Sequence, residues 1–173
     1  MRGLDIRKKT REQNVPVAEY MKLLAEMKER LARETFDCIV GIRRSGLIVA
    51  VYLSYQLGLP FFTDGDIESI PASFPRVLLV DTCAWKGKTL RKAMLRLSKL
   101  GGKSVTPAVL YRSSFIDPKI DGLIWLRETD LIKRFWYEPS FVGWGDDDDA
   151  GDEKPAGSGM RAGVKKAGPF DPA

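Results

Sequence analysis

The chain has 173 residues, 44% of them apolar and 29% charged, a composition typical of one globular domain with its own core. It contains no histidine, which excludes Ser-His and Cys-His nucleophile pairs and histidine-based metal sites. The net charge is +5, but seven acids and four bases follow Gly145, so the part before it carries +8. This excess favours a polyanionic ligand such as a phosphate or a nucleotide, although a solvated basic surface explains it equally well.

No apolar run approaches the roughly 20 residues that span a bilayer, and the charged N-terminus has no apolar stretch behind it. The two cysteines, Cys38 and Cys83, lie in an apolar run and in a predicted loop, so we expect no disulfide. The sequence therefore predicts a cytoplasmic protein without a membrane segment.

Hydrophobic periodicity and breaker residues predict the elements in chain order. They are a polar arm (1–16), a helix (17–33), a strand (36–42), a helix (46–57), a short strand (59–62), a loop (63–75), a strand (76–81), a helix (88–100) and two strands (104–111 and 121–126). Strands that alternate with helices indicate an α/β fold with a parallel sheet of about five strands.

Three details complete this prediction. Ser45 is a candidate N-cap for the second helix, and Pro107 weakens the assignment of its strand. The segment after residue 126 has no regular pattern. We expect the folded domain to cover 17–144, and we expect 145–173, rich in Gly, Pro, Ala and charge, to be a disordered tail.

Two loops at predicted strand ends have the composition of phosphate-binding loops. In "GIRRSG" (41–46), two arginines precede a helix N-terminus, where guanidinium groups and unpaired N–H groups bind anions. In "VDTCAWKGKT" (80–89), Asp81 ends a buried strand, and Gly87 allows the backbone to approach an anion. Each pattern alone also fits an ordinary strand-to-helix turn.

Together with "WYEP" (136–139), these segments resemble the type I phosphoribosyltransferases, most closely the bacterial xanthine–guanine and hypoxanthine branch. The resemblance covers roughly 17–141. It implies a parallel sheet flanked by helices, with a small irregular hood. It also implies transfer of ribose 5-phosphate from phosphoribosyl pyrophosphate (PRPP), with Mg2+, to a nitrogen base, with a purine expected, as in purine salvage.

The resemblance assigns expected roles to four groups of residues. Arg43, Arg44, Ser45 and Gly46 would form the pyrophosphate loop; Asp81 and Thr82 would bind the ribose; Ala84, Trp85, Lys86, Gly87, Lys88 and Thr89 would bind the 5′-phosphate; and Arg112, Trp136 and Tyr137 would contact the base. Asp81 would also be the catalytic residue and the Mg2+ ligand. The expected partners are PRPP and a nucleobase or nucleotide; the resemblance allows a homodimer, and we do not expect nucleic acid.

The chain departs from the usual V-D-D-x-x-D-T-G-x-T pattern of this loop at three positions. Thr82 replaces the second ribose-binding acid, Trp85 replaces the mid-loop acid, and Lys86 replaces a threonine. Loss of a proton acceptor typically costs about 10²–10⁴-fold in rate. The loop is thus better preserved for holding a phosphate than for chemistry on a purine.

Three functional hypotheses stay open. The first is a working phosphoribosyltransferase whose base needs no mid-loop acid. The second is a catalytically impaired protein of the same fold that binds PRPP or a nucleotide as a sensor or regulator. The third is a nucleic-acid or protein interaction role, for which the sequence offers only charge.

Overall fold

The computed structural model describes residues 12–116 and 120–135, all of which fall within one compact unit, Met1–Pro139. Among them the strands are β1 (Glu12–Val15), β2 (Cys38–Gly41), β3 (Phe61–Thr63), β4 (Arg76–Ala84), β5 (Ser104–Ser113), β6 (Ile124–Thr129) and β7 (Ile132–Phe135). The helices are α1 (Val17–Leu31), α2 (Ser45–Leu57) and α3 (Lys88–Lys99), with a 3-10 turn at Ile67–Ser69 inside the predicted loop. None of these helices is long and apolar enough to cross a membrane.

Five strands form one sheet in the order β3-β2-β4-β5-β6, and every neighbouring pair is parallel. This confirms the prediction of an α/β fold with a five-stranded parallel sheet flanked by helices. The chain runs from β2 outward to β3 and then returns to form β4 on the other side of β2. The strand order therefore switches between β2 and β4, the place where open α/β sheets bind ligands at their carboxyl ends.

The core lies on both faces of the sheet. Along β4, Leu78 and Val80 join the apolar cluster beneath α1 and α2, whereas Val77 and Leu79 join the cluster beneath α3. All four side chains are completely buried. Burial on both faces explains why this strand is apolar at successive positions rather than alternating with polar residues.

A second, two-stranded parallel sheet pairs β1 with β7, from Glu12 opposite Ile132 to Val15 opposite Phe135. The last residues of the predicted polar arm thus form a strand, and part of the segment expected to be irregular supplies its partner. Glu12 forms an ion pair with Arg134 at 2.7 Å. The pairing joins segments about 120 residues apart, so no local pattern in either segment could have predicted it.

Pro107 lies within β5, opposite Leu79 of β4. β6 pairs with β5 only from Ala108 onward, so the proline occupies a stretch that has a neighbouring strand on one side. A missing backbone donor is tolerated at such an edge. The predicted tail, 145–173, lies outside the described residues.

The buried apolar face of β4 should dominate stability. We expect Leu79→Ala to lower the free energy of unfolding by about 2–5 kcal/mol, because Leu79 is fully buried and its truncation leaves a cavity. The matched control is Leu95→Ala on α3, where the side chain is 58% exposed and the expected change is within about 0.5 kcal/mol. Urea unfolding followed by circular dichroism measures both, and equal losses would contradict this assignment of the core.

Candidate functional site

Two loops meet where the strand order switches. Ile42, Arg43 and Arg44 connect β2 to α2, and Trp85, Lys86 and Gly87 connect β4 to α3. Because β2 and β4 are parallel neighbours, the carboxyl end of β2 at Gly41 lies beside Val80, and β4 continues for four more residues to Ala84. The two loops that the sequence assigns to phosphate binding therefore flank one site.

The start of α2 lies against the end of β4. A Cβ atom on Gly46 would be 2.6 Å from the Val80 carbonyl oxygen and 3.0 Å from the Asp81 Cα, so no larger residue fits without moving the helix. At this separation the Ser45 hydroxyl donates a hydrogen bond to Asp81 Oδ1 at 3.0 Å. The prediction that Ser45 is the N-cap is wrong, since Arg44 occupies that position and Ser45 is the first helical residue. Its hydroxyl is directed to the strand instead of to its own helix.

Asp81 is partly buried at the centre of this site. Its Oδ1 also accepts a hydrogen bond from the Thr82 backbone N–H at 2.7 Å and a longer one from the Thr82 hydroxyl at 3.5 Å. Burial raises the pKa of Asp81 to about 7, although the bonds from Thr82 and Ser45 oppose this increase. Thr82 is buried to 1% exposure, so a second carboxylate at that position would be costly without a counter-charge.

A second carboxylate approaches the site from β3. Asp64 follows that strand, and its Oδ1 accepts hydrogen bonds from Arg43 N and Nε at 3.1 and 2.8 Å. Its negative charge also contributes to the raised pKa of Asp81, which places the two carboxylates in the same electrostatic environment. Sequence reasoning assigned "TDGD" (63–66) to a loop and missed this residue. The signal that could have placed Asp64 in the site is its position at the end of a strand that neighbours β2.

The second loop presents a helix N-terminus. Gly87 precedes α3 with a φ of 71°, and a Cβ there would lie 2.7 Å from Ile120 Cδ1, so both conformation and space require glycine. At the start of the helix, the Arg91 backbone N–H donates a hydrogen bond to the Gly87 carbonyl oxygen at 2.9 Å. The preceding N–H groups have no acceptor within the helix and can bind an anion. Lys86, Lys88 and Thr89 are exposed around them, whereas Ala84 is buried at the strand end.

Arg112 is the second-last residue of β5, opposite Ala84, and its guanidinium is directed toward β6. It forms an ion pair with Glu128 and lies 4.1 Å above the Trp125 ring, beside a cavity of about 240 Å³. The structure therefore brings Ser45, Asp81 and Thr82 into contact and leaves Arg112 with β6 partners. The other two predicted base-binding residues, Trp136 and Tyr137, lie outside the described residues.

The described residues offer few ligands for a divalent cation. The described residues contain no group of three or more acidic, histidine or cysteine side chains that could enclose a metal. Asp81 contributes one carboxylate, with the Ser45 and Thr82 hydroxyls beside it. Mg2+ commonly binds through one or two carboxylates and takes its other ligands from substrate phosphates and water. The site fits a cation that arrives with a phosphorylated ligand rather than a cation held by protein alone.

Comparison with solved structures identifies the fold. The chain is similar to a purine phosphoribosyltransferase from Pyrococcus horikoshii Ot3, with 25% identity over 76% of this chain and 97% of that one, and a TM-score of 0.64. It is also similar to the Helicobacter pylori xanthine-guanine-hypoxanthine phosphoribosyltransferase, with 17% identity over 73% and 93% of the chains and a TM-score of 0.66. A hypothetical protein from Neisseria gonorrhoeae with bound ppGpp matches with 16% identity over 76% and 91%, and a TM-score of 0.65.

Neither a protein-family model nor a curated protein sequence matches the chain. The structural similarity nevertheless covers most of the folded unit, and its five-stranded parallel sheet with flanking helices matches the fold of type I phosphoribosyltransferases. The structural neighbours thus confirm the fold expected from the sequence.

Because the pKa of Asp81 is raised in the folded protein, the free energy of unfolding should depend on pH. In the unfolded chain it ionises near pH 4, but in the folded protein near pH 7, so the free energy of unfolding falls as the pH rises between these values. We expect Asp81→Asn, without Mg2+ or ligand, to be more stable than wild type at pH 8 by up to about 4 kcal/mol. The difference should vanish below about pH 4.

Thermal unfolding between pH 4 and pH 8 measures this effect. Asp37→Asn is a control of opposite sign, because Arg76 holds the pKa of Asp37 below its usual value. That substitution should destabilise the protein at neutral pH, and its effect should be lost in acid. A stability gain from Asp81→Asn that does not change with pH would show that the carboxylate is not the cause.

Proposed function

We propose that this chain is a phosphoribosyltransferase that binds PRPP at the carboxyl ends of β2 and β4 and transfers ribose 5-phosphate to a nitrogen base, with a purine as the expected class. The hydrogen bond from Ser45 to Asp81, at 3.0 Å, carries the proposal. It joins the arginine-bearing loop before α2 to the one acid that the PRPP-loop pattern retains. Two solved structures of this fold are named as purine phosphoribosyltransferases, which supports the substrate class.

The two phosphate groups of PRPP would bind at the two loops. The N–H groups at the start of α3, with Lys86 and Lys88, suit the 5′-phosphate, because the partial positive charge of a helix N-terminus adds to that of the ammonium groups. The loop from Arg43 to Gly46 suits the pyrophosphate. Arg43 already donates to Asp64, which holds its backbone and guanidinium at the end of β3.

Asp81 would accept hydrogen bonds from the ribose hydroxyls between these two phosphates. In the reaction, the bond from C1 of the ribose to pyrophosphate breaks, and pyrophosphate leaves with the bonding electrons. A lone pair of the base nitrogen forms the new bond to C1, and the proton that this nitrogen carried passes to the departing pyrophosphate or to water. The buried carboxylate would stabilise the positive charge that develops on the ribose, and such preorganised charge is most effective where water is excluded.

Mg2+ would enter with PRPP and neutralise charge on the departing pyrophosphate. The role of this chain is to offer Asp81 as one ligand and to orient it through Ser45 and the Thr82 N–H. Because burial raises the pKa of Asp81 to about 7, the carboxylate that a cation requires should be more populated above neutral pH. We therefore infer tighter PRPP binding at pH 8 than at pH 6.

A second candidate function is supported by Thr82 and Trp85. Neither side chain can accept a proton as a carboxylate does, so the site retains groups for binding while it lacks two that assist the chemistry. The neighbour from Neisseria gonorrhoeae is described with bound ppGpp, a guanine nucleotide, in the same fold. A protein that binds PRPP or a nucleotide without turnover, as a sensor or regulator, is the alternative to the enzyme.

Both candidate functions require that the ligand binds at Asp81, and calorimetry with PRPP and Mg2+ tests this requirement. We expect Asp81→Asn to weaken PRPP binding by about 10–100-fold, since hydrogen bonds to a charged group contribute about 1.5–3 kcal/mol. The matched control is Asp37→Asn, which removes a carboxylate beside the first residue of β4, at the opposite end of the sheet. It should leave PRPP affinity unchanged.

Pyrophosphate release then separates the two functions. The protein is assayed with PRPP, Mg2+ and a panel of purines, pyrimidines and nicotinamide. Release that requires Asp81 supports the transferase. Binding that depends on Asp81 without release from any base supports the sensor, and failure to bind PRPP or any nucleotide excludes both.

A further inference from the structure

Phe115 is an exposed aromatic residue at the carboxyl end of the sheet. Its side chain is 65% exposed, although the residue lies only two positions after the end of β5. A tight turn fixes its backbone: Phe115 N–H donates to Ser113 Oγ at 3.0 Å, and Ile116 N–H donates to the Ser113 carbonyl at 3.1 Å. Ser113 itself is buried to 1% exposure. The fold thus holds a large apolar ring in solvent, where it is accessible to a ligand.

Trp85 lies beside this ring. The two ring centroids are 5.6 Å apart and the planes are inclined by 55°, a normal separation for a tilted aromatic pair. Trp85 belongs to the loop after β4 and Phe115 to the loop after β5, so the pair bridges two adjacent strand ends. Ile116 and Ile120 contact the position of Gly87, which ties the turn after β5 to the phosphate-binding loop. The pair is therefore part of the surface at that loop.

The segment that carries the pair is positively charged, although two acids from β6 and the turn after it lie nearby. Arg112 pairs with Glu128, and Ser114, next to Phe115, donates a hydrogen bond to Asp130. Residues 82–116 contain eight lysines and arginines and no acid. Lys86 and Lys88 are exposed next to Trp85, at the N-terminus of α3. A ligand that satisfies this surface carries both a flat aromatic ring and an anionic group. Nucleotides combine the two features.

We propose that Trp85 and Phe115 form a stacking surface for the base of a nucleoside monophosphate whose phosphate binds at the N-terminus of α3. This inference rests on the proposed phosphate site and adds the residues that select the base. Stacking depends on ring area more than on hydrogen-bonding pattern, so the surface favours purines over pyrimidines without reading their exocyclic groups. Trp85 then has a binding role at the position where a proton acceptor was expected.

The test compares two probes that differ in the base. Ribose 5-phosphate carries the phosphate alone, and guanosine 5′-monophosphate carries the phosphate and a purine. We expect guanosine 5′-monophosphate to bind wild type about 10-fold or more tightly than ribose 5-phosphate, and uridine 5′-monophosphate to fall between them, with calorimetry as the measurement.

Variants assign that difference to the two rings. Phe115→Leu should remove most of the 10-fold advantage and leave ribose 5-phosphate affinity unchanged, because Phe115 lies outside the phosphate-binding loop. Trp85→Leu should weaken guanosine 5′-monophosphate binding more than ribose 5-phosphate binding, whereas Trp85→Phe should keep much of the advantage. Phe61→Leu, at an aromatic residue of β3 that is 42% exposed, is the matched control and should change neither affinity. Thermal unfolding checks that each variant is folded.

The outcomes separate this inference from the proposed function. If ribose 5-phosphate binds but guanosine 5′-monophosphate binds no more tightly, the stacking surface is wrong and the phosphate site stands. A variant that weakens both probes equally also overturns the stacking role. Base-dependent binding that needs both rings, without measurable binding of ribose 5-phosphate, supports the stacking surface and counts against the phosphate site. No binding of either probe overturns both.

Discussion

The close approach of α2 to β4 is the constraint on which the site depends. Gly46 lies so near the Val80 carbonyl that a single added methyl group would be 2.6 Å from it. Because the helix can come this close, Ser45 reaches Asp81, and the loop that carries Arg43 and Arg44 is held at the strand ends. The absence of a side chain at one position thus sets the distance between the two loops.

The topology of the sheet makes that approach useful. β3 lies on one side of β2 and β4 on the other, so the loops after β2 and β4 diverge to opposite faces of the sheet. α2 packs with the cluster on one face and α3 with the cluster on the other. The two helix N-termini consequently frame a single opening, and both contribute a partial positive charge to it.

This opening carries less negative charge on β4 than a site with two adjacent acids would, because Thr82 follows Asp81 where the usual pattern has a second acid. Thr82 is buried and supplies hydrogen bonds to Asp81 rather than a second negative charge. Asp64 restores a carboxylate from β3, but Arg43 neutralises it. Together with the lysines around α3, this gives the described part of the site an excess of positive charge and leaves Asp81, whose pKa is raised by burial to about 7, as its candidate general base. The aromatic pair of Trp85 and Phe115 extends the same surface with stacking area instead of charge.

The sequence by itself determined the strands of the main sheet, the loops that lead into α2 and α3, and the place of Asp81 on β4, although it ended that strand at Asp81 and the strand runs to Ala84. These follow from local patterns: apolar runs for buried strands, periodicity for α1 and α3, and glycines where the chain must turn. Only the tertiary structure decided that β1 pairs with β7, that Asp64 enters the site, that Arg112 binds Glu128, and that Phe115 lies against Trp85. Each of these depends on residues far apart in the chain, whose proximity is set by strand order and register. The raised pKa of Asp81 belongs to the same group, because burial and neighbouring charge exist only after packing.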